Sequence, residues 1–211
     1  MPTTPPAQGT RSARKRQAIL DAALEIFLEH GFVGSGMDQV AAGAGVSKVT
    51  IYHHFSDKQR LFVAVVEAAI SEAEAGSRDL VEGLATSVDL PRDLSRFARQ
   101  HVALVTQPHL VRMRRLIVAE SGRFPELARA WHAAGPERGH ATLAEQISTL
   151  TERGLLRAPD PLLAAQHLNY LILSVPLNEA LFTGRDSAFP ARRLNRWADE
   201  AVRVFLAAYA A

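Results

Sequence analysis

The 211-residue chain contains no cysteine, which excludes a disulfide scaffold, a thiolate zinc site and a cysteine nucleophile, and suits a reducing compartment such as the cytoplasm. No apolar run reaches the ~18 residues of a membrane span, so no membrane partner is expected. The net charge of +2 is too small to announce a polyanion binder by its sum. Strand patterns, internal repeats and low-complexity blocks are missing. So are a G-x-S-x-G elbow, a Walker loop and a dinucleotide fingerprint, which leaves catalysis without a candidate. The one Glu-x-x-His, Glu137 to His140, stands beside Pro136 and Gly139, whereas a carboxylate-bridged di-metal bundle needs two such motifs. His53 and His54 point about 100° apart on a helix and suit one ion poorly. No metal or cofactor is expected.

What is present is helical patterning and, at 47% hydrophobic residues, ample material for a buried core. The opening MPTTPPAQGT reads as a flexible tail without the features of a signal peptide. A first helix is expected over 12–30, with Ile19, Ala23, Ile26, Phe27 and His30 near one face and Gly31 closing it. A longer one runs from Asp57 to about Ala75, with Leu61, Val65, Ala68 and Ala69 inward. Gly76, Ser77 and the stretch from Gly83 to Pro91 punctuate the chain. Further helices are expected near 92–106, 108–121, 125–153 with a break at Gly135-Pro136, 161–182 and 189–209. Pro125 and Pro161 sit well in first helical turns.

The densest signal lies between Gly36 and Lys58, GMDQVAAGAGVSKVTIYHHFSDK. Two short helices crossing steeply need a small residue at their approach, which Ala41 supplies, and a turn residue that reaches positive φ, which Gly45 supplies. Val40, Ala44, Val46 and Ile51 fall inward. Ser47 is a good N-cap for the second helix, and Ser56 with Gln59 forms an S-x-x-Q capping box for the next. Lys48, Val49, Thr50, Tyr52 and His53 are left facing outward at the end of a helix-turn-helix that meets base edges. Charge agrees: residues 1–60 hold seven Lys/Arg against five Asp/Glu, while the remainder holds seventeen of each. Arg11, Arg14, Lys15 and Arg16 oppose the helix dipole at the start of the first helix, a cost that phosphate contact explains. The competing reading is a helical ligand-binding or enzymatic bundle whose hairpin is only structural. Such a hairpin has no need of the outward row together with Lys58.

Residues 12–66 resemble the DNA-binding domain of the tetracycline-repressor (TetR) family. The resemblance is carried by His30-Gly31-Phe32, Val40-Ala41, Ala44-Gly45-Val46-Ser47-Lys48, Ile51-Tyr52-His53-His54-Phe55, Lys58 and Leu61-Phe62. It implies a homodimeric, all-α, one-component regulator, usually a repressor, released from its operator by a small molecule in the C-terminal domain. Two positions depart from the family pattern: Gly36 replaces the usual capping Ser or Thr, with Ser35 a partial substitute for the lost phosphate hydroxyl, and Val49 replaces a small residue or proline. The expected organisation is a tail over 1–10, a three-helix helix-turn-helix DNA-binding domain over 11–56, and a helical ligand-binding and dimerisation domain over 57–211. Arg14, Lys15, Ser35, Ser47, Lys48, Val49, Thr50, Tyr52, His53 and Lys58 are the expected contacts to double-stranded operator DNA. Val49 suits a thymine methyl, and Lys58 a phosphate.

The helix from Leu162 to Phe182 is apolar nearly all round and must be covered on two sides. Core on one side and a second subunit on the other satisfies this, with Leu168, Ile172, Leu194, Trp197, Ala201 and Phe205 as the expected dimer contacts. A single large core is the alternative. Pro176, flanked by Ser174 and Asn178, either kinks that helix to open ligand space or serves packing. The expected effector lining is His101, Leu104, Val105, Met113, Ile117, Phe124, Trp131, Leu171, Ser174 and Asn178. So apolar a wall implies an apolar or amphipathic ligand.

Overall fold

The computed structural model describes residues 8–75, 78–184 and 188–211; the first seven residues of the expected tail and the punctuation at Gly76 and Ser77 lie outside them. Every regular element among the described residues is helical. The chain divides into two units, the first comprising residues up to Ala69 with Leu116–Trp131, the second Ile70–Arg115 with His132–Ala211.

In the first unit α1 (Gln8–Gly34) starts ahead of the expected Ser12 and breaks its helical geometry at Gly31, where φ is 72°. Ile19, Ala23 and Phe27, one turn apart, are fully buried, whereas His30 is exposed. Next come α2 (Met37–Ala44) and α3 (Lys48–His54). Gly45 joins them at φ 63°, and its N–H reaches the Ala41 and Ala42 carbonyls, a left-handed cap that costs glycine little. A close approach between α2 and α1 lies two residues on from Ala41: a Cβ on Gly43 would stand 3.3 Å from the Ala22 Cβ of α1. Ala41 is buried beside it.

The helix α4 (Lys58–Ala75) is capped by Asp57, whose Oδ1 accepts from the Arg60 N–H at 2.7 Å. This corrects the capping box expected of Ser56 and Gln59. The Ser56 hydroxyl donates to Asp57, and the Gln59 amide bonds Glu126. Residues 58–69 belong with the reader because Phe62 meets Phe27 at 5.0 Å and Phe32 at 5.3 Å, both edge-on. Phe124 completes the ring cluster against Phe32 at 4.7 Å. This wall is what holds α1 to α4.

The second unit is built on α6 (Leu90–Val105), α9 (Arg138–Glu152), α10 (Pro161–Phe182) and α11 (Ala191–Tyr209). The remaining helices are α5 (Arg78–Leu84), α7 (Pro108–Glu120) and α8 (Pro125–His132); α7 ends and α8 begins in the first unit. Sequence patterning missed α5. A π-helical turn, Ala133–Glu137, marks the expected break at Gly135-Pro136, an accommodation of the kind that irregular helices make around an extra residue. Leu94, Phe97, Ala98 and Val102 of α6 share one core with Leu143, Ile147 and Leu150 of α9, Leu168 and Ile172 of α10, and Ala198, Val202 and Phe205 of α11. The caps are Asp89 and Asp160, which accept from Arg92 and Leu163 N–H groups.

Arginines stitch the helices together. Arg99 makes a two-pronged pair with Asp199 at 2.7 and 2.8 Å, and Arg193 does so with Glu179. Arg153 donates to the carbonyls of Ala85 and Ser87. An isolated bridge pairs Leu156 with Ala210.

Candidate nucleic-acid interface

α3 is anchored by Ile51, which has no exposed surface, and is opened by Ser47, whose Oγ accepts from the Thr50 N–H at 3.1 Å and lies 2.8 Å from the Thr50 hydroxyl. One buried residue and one cap fix a seven-residue helix, too short to be stable alone. Four of its other side chains face solvent: Val49 is 78% exposed and Tyr52 46%, and Lys48 and His53 are exposed beside them. An apolar side chain so bare has nothing in its own unit to bury against. Lys48 pairs with Asp38 of α2 at 2.9 Å, which raises its pKa through that hydrogen bond first and charge second. The pair is exposed and contributes little to stability, so phosphate or base can replace the carboxylate at small cost. Sequence reading did not foresee this pair.

Arg11, Arg14, Lys15 and Arg16 of α1 are all exposed. The Arg16 guanidinium lies 5.3 Å over the Phe55 ring at the end of α3. This brings the basic start of α1 to the recognition helix. His54 is half-buried. Burial foremost, then the charges of His53, Arg16 and Lys15, holds its pKa below the ordinary histidine value.

Two expected DNA contacts are engaged within the protein. Ser35 is 4% exposed, and its hydroxyl donates to the Gly31 carbonyl at 2.6 Å and lies 3.1 Å from that of Ile26. It closes the broken end of α1. At Gly36 the Gln39 side chain instead accepts from the backbone N–H at 2.7 Å. The Lys58 ammonium donates to the Ser35 carbonyl at 2.9 Å and the Val33 carbonyl at 3.4 Å, and sits 4.8 Å over the Phe32 ring. It neutralises the carbonyl-rich end of α1. Desolvation lowers its pKa most, against the raising effect of Glu120.

The expected effector and dimer residues are redistributed. Ile117, Phe124 and Trp131 belong to the first unit; His101, Leu104, Val105, Met113, Leu171, Ser174 and Asn178 belong to the second. Leu171, Ser174 and Asn178 are exposed on α10 and do not line an interior. The expected dimer residues lie largely inward. Leu168, Ile172, Leu194, Ala201 and Phe205 are buried in the core of their own unit, and Trp197, partly exposed, packs against that core. α10 runs continuously past the buried Pro176, and the Asn178 amide donates to the Ser174 carbonyl. The outward stripe of α10 is instead Leu163, Tyr170, Leu171, Val175 and Phe182, the last 83% exposed. No helix among the described residues is long and apolar enough to cross a membrane.

His101, expected in the effector lining, is half-buried. Its Nε2 stands 2.9 Å from the Asn169 Oδ1, and its ring stacks on Phe97 at 5.3 Å. Burial chiefly lowers its pKa, with His140 and Arg114 adding to the effect against Asn169. His140 is 7% exposed, and its Nε2 has no partner.

The family description "Bacterial regulatory proteins, tetR family" matches residues 19–65, and "AefR-like transcriptional repressor, C-terminal domain" matches residues 92–211. The chain is similar to the HTH-type transcriptional repressor AcnR of Corynebacterium diphtheriae, with 33% identity over 64% of this chain and 68% of that protein. A crystal structure of a TetR-family regulator from Mesorhizobium loti MAFF303099 is 39% identical, with a TM-score of 0.89 over 95% of this chain and 99% of that one. The flavonoid-responsive regulator FrrA is 31% identical, with a TM-score of 0.75 over 94% and 98%. An exposed, capped recognition helix in the first unit, an all-helical second unit and these matches agree: the chain is a DNA-binding transcriptional regulator and not an enzyme, and belongs to the TetR family.

Proposed function

We propose that this regulator is a homodimeric repressor of the cytoplasm that binds a palindromic operator and leaves it when a small apolar or amphipathic effector enters the second unit. The observation that carries the reading is the bare outward row of α3, Lys48, Val49, Tyr52 and His53, on a helix fixed from behind by Ile51. Palindrome reading needs two such rows, and the uncovered apolar stripe of α10 supports a second copy seated there. Repression is supported by the likeness to AcnR, whose name states that role. Release by a small molecule is supported by the likeness to FrrA, which is described as flavonoid-responsive. Effector and operator compete through coupling of about 1–3 kcal/mol, enough to change affinity roughly 5- to 150-fold.

The test is selection of bound duplexes from a random pool, followed by a mobility-shift titration of the selected site with 7-hydroxyflavone present and absent. A palindromic site that is released by the compound is the expected result. Selection of no preferred sequence overturns the DNA-reading mechanism, and a non-palindromic site bound by one chain overturns the dimer.

A further inference from the structure

Residues 11–17 of α1 are all exposed, and Ile19 is the first buried side chain described on that helix. The start of α1, from Gln8 onward, therefore overhangs the core of its unit by about 16 Å. Helix propensity alone holds so short a segment poorly. Charge adds to the cost, because Arg11, Arg14, Lys15 and Arg16 crowd the positive end of the helix dipole, and the first acid on α1 is Asp21, already bonded by the Gln17 amide at 2.8 Å. Arg11, Arg14 and Lys15 stand at i, i+3 and i+4 and share one side of the helix. None of the three has an ion pair or a hydrogen bond among the described residues. A row of cations that no acid answers, on a segment that no core supports, calls for a polyanion laid along it.

Arg16 ties the overhang to α3. Its guanidinium stands 5.3 Å over the ring of Phe55, the residue that closes α3, so the overhang leaves the reader at the C-terminal end of the recognition helix. The outward row begins at the other end, with Lys48. α3 spans only about 10 Å, the length of roughly three base pairs. A duplex seated on α3 runs on past it, and the phosphates of that continuation are the polyanion within reach of the row. Continuity with α3 thus favours duplex flanks over any other acidic partner.

We infer that the start of α1 is a second DNA element, which grips phosphates of the duplex flanking each half-site through Arg11, Arg14 and Lys15. The inference rests on the proposal that α3 reads an operator. It adds to the site base pairs outside the palindrome that are held by charge and not by sequence.

The test uses the full chain and the site obtained by duplex selection, in two lengths. One duplex is cut at the outer edges of the palindrome; the other carries about eight more base pairs on each side. Anisotropy titrations over a salt series should show the long duplex bound about 10-fold more tightly near physiological salt, with a log–log slope steeper by about 2–3 units per chain. The triple variant Arg11→Gln, Arg14→Gln, Lys15→Gln, changed only at exposed positions, should lose most of this length advantage and of the extra slope. Hydrogen exchange over residues 11–17 should slow with the long duplex only. Flanks rich in A·T or in G·C should serve alike, within about 2-fold. Equal wild-type affinity for the two lengths, a length advantage that survives in the triple variant, exchange that slows equally with both duplexes, or a strong preference for one flank composition would overturn the inference. A wild-type chain that selects a site but ignores its flanks loses only this inference, whereas one that selects no duplex loses the regulatory reading.

Discussion

The Lys58 ammonium lies 4.8 Å above the Phe32 ring and donates 2.9 Å to the Ser35 carbonyl, so the first residue of α4 fastens the last turn of α1. Phe32 in turn packs edge-on against Phe62, one helical turn after Lys58. A cation, a carbonyl and two rings therefore set the entry of α4 into the reader.

Lys58→Met keeps most of the side-chain bulk and removes the charge. It should lower stability by about 1–2 kcal/mol and leave the salt dependence of operator binding unchanged. Denaturant melts and a salt titration separate the two effects. A slope reduced by about one unit would show that the ammonium serves a phosphate after all.

Tyr52→Ala removes a half-exposed ring from the outward row of α3. Operator affinity should fall about 10-fold or more while the melting curve stays within about 0.5 kcal/mol of wild type. Equal affinity in a mobility shift would take Tyr52 out of the interface.

Operator binding should take up protons. In the free protein, burial and the neighbouring His53, Arg16 and Lys15 keep the His54 pKa low; arriving phosphates raise it. Affinity is then greatest at pH values below the free-state pKa and is lost as pH rises through the bound-state pKa. His54→Gln should flatten this profile between pH 5.5 and 8, measured at constant salt, and a profile as steep as wild type would place the proton elsewhere.

Acid should weaken the second unit for the opposite reason. Folded His101 has a depressed pKa, mainly through burial, and the unfolded chain binds that proton near pH 6.5. Its contribution is complete above about pH 6.5 and is lost as pH falls from there through the folded-state value. His140 acts in the same window. Urea melts at pH 7.5 and 5.5 should differ less for His101→Gln than for wild type; an equal difference would assign the acid sensitivity to other groups.

Phe182→Asp and Trp197→Asp should fail differently. The first changes an exposed residue of the outward α10 stripe and should yield folded monomers by sedimentation. The second places a charge against Phe189, 5.5 Å away ring to ring, and should unfold the second unit instead of splitting a dimer. A dimeric Phe182→Asp protein would move the interface off this stripe.

These contrasts show where the amino-acid sequence speaks and where it does not. Ser47, Gly45 and Asp160-Pro161 each act within a turn of themselves, so their roles were readable in place. Competing local partners were not: Asp57 outdid Ser56 as a cap by one residue, and Gln39 took the Gly36 N–H. α10 carries apolar residues at nearly every angle, so periodicity does not decide whether Leu168 and Ile172 or Leu171 and Val175 face the core. That choice is made by α9 and α11. Seven-residue α5, with Gly83 inside it, is too short for a periodic signal. The His101–Asn169 bond spans 68 positions, a separation at which no local pattern exists.

Arg153 has a consequence for handling the protein. Its peptide bond to Gly154 lies in an exposed turn and looks open to trypsin, yet the guanidinium is anchored on the carbonyls of Ala85 and Ser87. A protease must pull both contacts apart before it can seat this arginine. Cleavage after Arg153 therefore reports the opening of the joint between α5 and α9, and its rate in limited digestion is a ready gauge of whether a bound compound tightens or loosens that corner.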